Sequence, residues 1–236
     1  MLVDVVALPA DLQRSHLVGR TVVVFDVLRA TTTMTAALSA GVTEIRVFDD
    51  LATTRAAAQG FSGAKLLVGE RHCLRPEGFD LGNSPEPLLD RTHAGKTIFM
   101  CTTNGTRAIL AAARAERVLV GAIVNAAAVA RVLKRDGRDV TLLCAGTDGQ
   151  PATEDLVGAG AVRAALGDYA SGNDAVAQAR RAFDGGRNNL QSLLVSTTGG
   201  RNVIRAGLPD DVSFASKLDA LPAVGEAFVG IVKLAR

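Results

Sequence analysis

Tryptophan is absent from these 236 residues and tyrosine occurs once. So sparse an aromatic set excludes the stacking platforms on which single-stranded nucleic acids are held. Neither sign of charge is in excess: 26 basic and 24 acidic residues leave a formal +2, too weak a field to gather nucleic acid or an anionic membrane surface. Any anion must therefore be caught by local groups. Cys73, Cys101 and Cys144 lie far apart with no CxxC spacing, so neither a disulfide framework nor a zinc site is indicated. No apolar run reaches bilayer length, and the opening Leu2-Val3-Asp4-Val5-Val6 is too short for a signal-peptide core, so a cytoplasmic protein without membrane contact is expected. A GxSxG elbow and a P-loop are both missing, which removes those two familiar classes. His16, His72 and His93 have no partner spacing for a metal or a triad, and none is expected to take part in catalysis.

What is present is an alternation. Apolar runs at about 2–8, 21–27, 44–48, 65–69, 97–101, 117–121 and 139–144 read as strands, with Ala-rich helical patterns between most of them after residue 30. Such alternation predicts βαβ crossovers and a largely parallel sheet in an α/β fold. Thr21-Val22-Val23-Val24 and Thr97-Ile98-Phe99-Met100 lie 76 residues apart, and so do Leu66-Leu67-Val68 and Leu142-Leu143-Cys144. The shared offset suggests a duplicated β-α-β-α-β unit, approximately 20–95 and 96–170, within one domain spanning 1–236 that the segment 171–236 completes. Phe228 to Leu234 reads as a closing strand placed beside the start of the chain.

Each half carries a Thr-rich turn after a strand and before a helix: Asp26-Val27-Leu28-Arg29-Ala30-Thr31-Thr32-Thr33 in the first and Thr102-Thr103-Asn104-Gly105-Thr106 in the second. A helix start offers free N–H donors and a positive dipole end, suited to an oxyanion as well as to capping. Thr31, Thr32, Thr103, Asn104, Gly105 and Thr106 are thus candidate anion-binding residues. Ligands of open parallel sheets gather outside the carboxyl ends of the strands, which singles out Asp26, Glu70 and the pair Glu154-Asp155 as carboxylates for a Mg²⁺ ion. That ion prefers one or two carboxylates completed by water and phosphate oxygens. Helix capping, or salt bridges to Arg29 and Arg71, would be the structural use of the same acids. Arg29 and Arg71 stand close to strand-end acids, where a bidentate clamp for phosphate, carboxylate or sulfonate is useful. The aperiodic stretch from Gly69 to Pro85, with Phe79 and Leu81 as apolar anchors, reads as an ordered site loop that brings Asn83 and Ser84. Ser84 is expected to cap a helix begun by Pro85. On residues alone the chain is an α/β enzyme for a small phosphorylated anion, with no nucleic acid or membrane partner and a homo-oligomer left open.

The same segments, DVLRATTT at Asp26 to Thr33, Gly69-Glu70-Arg71, GFDLGNSP at Gly78 to Pro85, TTNGT at Thr102 to Thr106, Glu154-Asp155, and Ser196 to Asp211, resemble the signature of the 2-phosphosulfolactate phosphatase (ComB) family. The resemblance covers nearly the whole chain. It implies Mg²⁺-dependent hydrolysis of the phosphate ester of 2-phospho-3-sulfolactate, on the route to coenzyme M, by a three-layer α/β/α fold of two intertwined halves. Asp26, Glu70 and Asp155 are then expected to be catalytic, and Asp26, Glu70, Glu154 and Asp155 to hold the metal. A phosphatase for another phosphorylated 2-hydroxy acid, or a non-catalytic phosphate-binding relative, is the alternative.

Overall fold

The computed structural model describes residues 1–235. The chain runs β1 (Leu2–Val6), β2 (Thr21–Phe25), α1 (Ala30–Ser39), β3 (Glu44–Phe48), α2 (Leu51–Gln59), β4 (Lys65–Gly69), β5 (Thr97–Cys101), α3 (Gly105–Ala111), β6 (Arg117–Gly121), α4 (Ala126–Asp136) and β7 (Val140–Cys144). It continues through α5 (Thr153–Leu166), β8 (Ala170–Ser171), α6 (Asp174–Gly186), α7 (Leu190–Ser196), α8 (Thr198–Arg205), α9 (Pro209–Ala215), β9 (Gly225–Phe228) and β10 (Ile231–Leu234). All seven expected early strands form. The residues of β2, β5 and β7 are buried throughout, as strands covered by helices on both faces must be, hence their unbroken apolar runs. No helix among the described residues is long and apolar enough to cross a membrane.

The strands form one mixed sheet in the order β4-β5-β3-β10-β9-β6-β2-β7-β1-β8. The halves are interleaved in it: β2 lies between β6 and β7, and β5 between β3 and β4. Their registers correspond, with Thr21 opposite Arg117 and Val140, and Thr97 opposite Glu44 and Lys65. The β9–β10 hairpin joins the two parallel blocks through antiparallel pairings to β6 and β3. The expectation that the tail pairs with the start of the chain is therefore corrected. β1 instead takes β7 and β8 as neighbours, and the tail fills the seam between the blocks.

Those pairings make the two blocks run in opposite senses. A flat sheet would send the carboxyl ends of β2 and β5 to opposite edges. A sheet of this many strands twists strongly, and one core packs against both blocks at once. Val22 and Val24 of β2, Ile98 and Met100 of β5, Met34 and Ala37 of α1, and Ala108 and Ile109 of α3 belong to the same buried cluster. Residues Ala30 to Leu38 of α1 are all buried, so tertiary packing holds the helix despite its β-branched Thr run, which has poor intrinsic helix propensity. The opposite face of β1, β2 and β7 packs on α4, α5 and α6 in a second cluster, giving helices on both sides of the sheet.

Candidate active site

The two Thr turns are built alike. The Asp26 N–H donates to Thr31 Oγ1 at 3.1 Å while the Thr31 hydroxyl donates to the Asp26 carbonyl at 2.9 Å. In the second turn the Thr102 N–H donates to Thr106 Oγ1 at 3.3 Å and the Thr106 hydroxyl donates to the Thr102 carbonyl at 3.0 Å. The first residue of each turn also caps its helix: Asp26 Oδ1 accepts from the Ala30 N–H at 3.1 Å, and Thr102 Oγ1 from the Thr106 N–H at 3.2 Å. Asp26 and Thr102 are thus equivalent positions, one carrying a carboxylate and the other a hydroxyl. Thr32 donates to the Val27 carbonyl at 2.8 Å. Thr31, Thr32 and Thr106 are fully buried and spend their hydroxyls on backbone, so they shape the turns and stand apart from the cavity wall.

The turns meet. A Cβ on Gly105 would lie 2.6 Å from Asp26 Oδ2 and 2.6 Å from the Ala30 Cβ, so a glycine is what allows the start of α3 to reach the start of α1. In an unpacked helix alanine would be preferred to glycine by about 1 kcal/mol. Here Gly105→Ala should instead push the two turns apart and lower kcat by about 10²-fold, the cost of an ångström-scale misplacement. Steady-state kinetics beside a melting curve checks this, since a fall in Tm with unchanged kcat would place the contact outside the site.

Glu70 links these turns to the long loop. Its Oε1 accepts from the Thr103 N–H at 2.6 Å and its Oε2 from the Cys73 N–H at 3.0 Å. Phe79 is buried and Leu81 packs on the core, the anchoring expected of that loop. Asp155, in the first turn of α5, accepts from the Val27 N–H at 2.8 Å and the Gly146 N–H at 3.0 Å, stapling together the loops that follow adjacent β2 and β7. Glu154 beside it is almost wholly buried, and its Oε2 has no hydrogen-bond partner. A Cβ on Gly199 would overlap Glu154 Oε1.

A cavity of about 400 Å³ opens where these segments converge. Its walls include Asp26, Glu70, Thr103 and Asn104 from the turns, Asn83 from the long loop, and Gly199, Asn202 and Arg205 from α8. Asn83 is 3 % exposed and its Oδ1 has no partner. Arg29 also lines the cavity but is committed elsewhere: its Nη1 pairs with Asp211 at 2.6 Å and contacts Ser84 at 3.3 Å, and its Nη2 donates to the Cys73 carbonyl at 2.6 Å. Ser84 in turn donates to Asp211 at 2.8 Å, and no side-chain cap forms at the short 3₁₀ helix after Pro85. Its expected capping role is corrected accordingly. Arg71 points away, donating to the Glu70 carbonyl at 2.9 Å and Cys101 Sγ at 3.1 Å. Sequence reasoning overlooked Asp211 as the partner of Arg29 and Arg205 as a wall residue, and set aside His72, which lines the cavity with Cys73. The Gly200-Arg201-Asn202 and Asp210-Asp211 segments were a signal, but nothing in them told which residue faces inward.

Asp26 and Glu70 line the cavity, Glu154 and Asp155 are buried close enough to act on Asp26, and none of the four forms an ion pair among the described residues. Burial, above all, raises the Asp26 carboxyl from 3.8 to about 6; the charges of Glu70 and Glu154 add to the rise, and the Ala30 and Gly105 amides oppose it. Burial likewise pushes Asp155 well above the usual carboxylate range, with Asp26 and Glu154 reinforcing it. The Cys73 thiol is raised by burial, against the pull of Arg29, so it is not an activated nucleophile.

Residues 6–228 match the family described as 2-phosphosulpholactate phosphatase. The chain belongs to this family. A family relative from Carboxydothermus hydrogenoformans, named "Probable 2-phosphosulfolactate phosphatase", is 38% identical over 227 residues, covering 96% of this chain and 93% of its own. A relative of the same name from Gloeobacter violaceus is 39% identical over 204 residues, 86% of each chain. Another so named, from Thermotoga maritima, is 34% identical over 230 residues, 98% of this chain and 97% of its own. Membership makes the chain one of a family of phosphoric monoester hydrolases, and the cavity between the two turns is its candidate active site.

Proposed function

We propose that the protein is a Mg²⁺-dependent phosphatase that hydrolyses 2-phospho-3-sulfolactate to sulfolactate and inorganic phosphate. The observation that carries this reading is the union, in one cavity, of an uncompensated acidic end with the Thr103 and Asn104 donors of the other half. Among the described residues no three His, Cys, Asp or Glu side chains form a metal-holding group. Mg²⁺ asks for less, one or two carboxylates completed by water and phosphate oxygens. Asp26 and Glu154 fit that demand: the buried Glu154 Oε2 lacks a partner, and the Asp26 carboxylate lines the cavity with only the Ala30 and Gly105 amides beside it. Glu70 and Asp155 each have both oxygens on backbone N–H groups, which gives them the role of holding the loops in place. A bound divalent cation would neutralise phosphate oxygens and the negative charge that builds up on them.

The protein's own groups do the rest. Thr103 and Asn104 hold the phosphoryl oxygens, and Asn83 offers a buried amide to the ester. A water attacks phosphorus in line with the ester bond, oriented by the Asp26 carboxylate, which accepts its proton as the new P–O bond forms. The old P–O bond breaks, and the ester oxygen leaves with a proton from solvent to give the hydroxyl of sulfolactate. Such a transfer needs positioning and electrostatic stabilisation more than covalent help.

Phosphate release from a panel of phosphorylated 2-hydroxy acids, with and without Mg²⁺, tests this function. Turnover of 2-phosphosulfolactate that vanishes on chelation and returns with Mg²⁺ is expected; turnover indifferent to chelation, or confined to other esters, contradicts it. Two variants separate binding from shape within the second turn. Asn104→Ala should weaken product inhibition by phosphate by about 10-fold or more, the loss of a charge-assisted hydrogen bond. Thr106→Ala should leave phosphate binding nearly intact but lower stability by about 1 kcal/mol, the loss of a turn-closing hydroxyl.

A further inference from the structure

Arg205 is exposed and stands on the cavity wall, yet it forms no ion pair with any described carboxylate. The other arginine of the wall, Arg29, is spent on Asp211. Arg205 is thus the cavity's uncommitted guanidinium. Gly199, Asn202 and Val203 of α8 and its C-cap Ala206 all line the cavity, and their spacing follows one face of the helix. At the Gly199 end that face presses on the buried Glu154. Six residues further on, about 9 Å along the axis at 1.5 Å per residue, stands Arg205. The helix therefore acts as a ruler, with the buried Glu154 carboxylate against one end and an unpaired guanidinium at the other.

A substrate anchored by its phosphate between Asp26 and Asn104 has this wall beside the rest of its body. In 2-phosphosulfolactate that body carries two further anions, a carboxylate and, one carbon on from the phosphorylated centre, a sulfonate. We infer that Arg205, assisted by the Asn202 amide, is a specificity-determining residue that receives the sulfonate and so selects phosphorylated 2-hydroxy acids bearing a second acidic group at the neighbouring carbon. The inference rests on the phosphatase reading above and deepens it. The planar fork of a guanidinium suits a tetrahedral oxyanion through paired N–H donors, which a lysine ammonium reproduces only as a point charge.

The test compares wild type, Arg205→Gln and Arg205→Lys on 2-phosphosulfolactate and on 2-phospholactate, which lacks the sulfonate. An exposed, unpaired arginine can be replaced without unfolding the chain, and a melting curve verifies this. Arg205→Gln should raise KM for 2-phosphosulfolactate by about 10- to 100-fold, the loss of a charge-assisted contact, with kcat within twofold and 2-phospholactate turnover unchanged. Arg205→Lys should recover part of the loss. An equal loss on both esters would mark general attraction of anions to the rim, and no loss on either would leave Arg205 outside the site; each overturns the inference. Titration calorimetry with sulfolactate alone is independent of turnover. Binding by wild type that is lost in Arg205→Gln supports the subsite even if neither ester is hydrolysed, whereas equal binding, or none in wild type, removes it. Failure of hydrolysis itself counts only against the phosphatase reading.

Discussion

Asp26→Asn should lower kcat/KM for the phosphate ester by about 10²–10⁴-fold, the range of a lost acid–base group, while making the metal-free protein harder to unfold at pH 8. The two effects share one cause. Burial and the neighbouring Glu70 and Glu154 charges raise the folded-state pKa of Asp26 from 3.8 to about 6. A carboxyl whose folded pKa is raised contributes stability that is fully present below its unfolded pKa and lost as pH rises through the folded one. Above about pH 6 the metal-free protein therefore holds a charge it would rather release. Going from 3.8 to about 6, at roughly 1.36 kcal/mol per pH unit, makes that cost on the order of 3 kcal/mol. Asparagine removes it, so the variant's Tm should exceed wild type at pH 8 and the difference should vanish near pH 4. Mg²⁺ should raise the Tm of wild type at pH 8 and leave that of the variant unmoved. A variant that keeps its turnover and its response to Mg²⁺ would reduce Asp26 to a cap on α1.

Arg29→Met should be the most destabilising single change around the cavity. The Arg29–Asp211 pair is nearly inaccessible, at 3% and 7% side-chain exposure, and removing one partner leaves a buried charge, which costs about 3–5 kcal/mol. For a domain of this size that is a fall in Tm of roughly 10 °C. The Ser84 hydroxyl would remain on Asp211 but supplies no charge. Replacing both partners, as in Arg29→Met with Asp211→Leu, should restore most of the loss, because a well-packed apolar pair often replaces a buried ion pair without penalty. Thermal melts of the two single variants and the double variant close the cycle. Unchanged Tm in Arg29→Met with a large rise in the inhibition constant of phosphate would return Arg29 to the substrate-binding role that the sequence suggested.

That reversal for Arg29 marks the boundary of what the chain discloses on inspection. The strands were legible because β2, β5 and β7 are buried on both faces and the rest keep a mostly apolar pattern, and the two turns were legible because Asp26 and Thr102 each directly follow such a run. The meeting of the turns depends on β2 lying between β6 and β7, β5 between β3 and β4, and α1 and α3 sharing one core, none of which a local pattern discloses. Charge pairing was not legible. Asp211 lies 182 residues from Arg29, and no local pattern tells an arginine that braces two segments from one that waits for a ligand. Arg71 was expected in the site and Arg205 went unnoticed for the same reason, since side-chain direction is settled by tertiary contacts: the Glu70 carbonyl and Cys101 draw Arg71 away, and α8 carries Arg205 onto the wall. The β9–β10 hairpin was missed because its role depends on two blocks of opposite sense that exist only once the halves have interleaved. Glu154 and Asp155, adjacent in sequence and alike in chemistry, differ only in that backbone amides reach one of them and not the other.

A crystal structure of the protein grown with Mg²⁺ and phosphate tests the central claim most directly, that one active site is built from both halves. The account predicts a single phosphate touching Thr103 and Asn104 on one side and, through one cation ligated at about 2.0–2.1 Å, Asp26 and Glu154 on the other. Phosphate bound at only one turn, or a cation seated without Asp26, would contradict it.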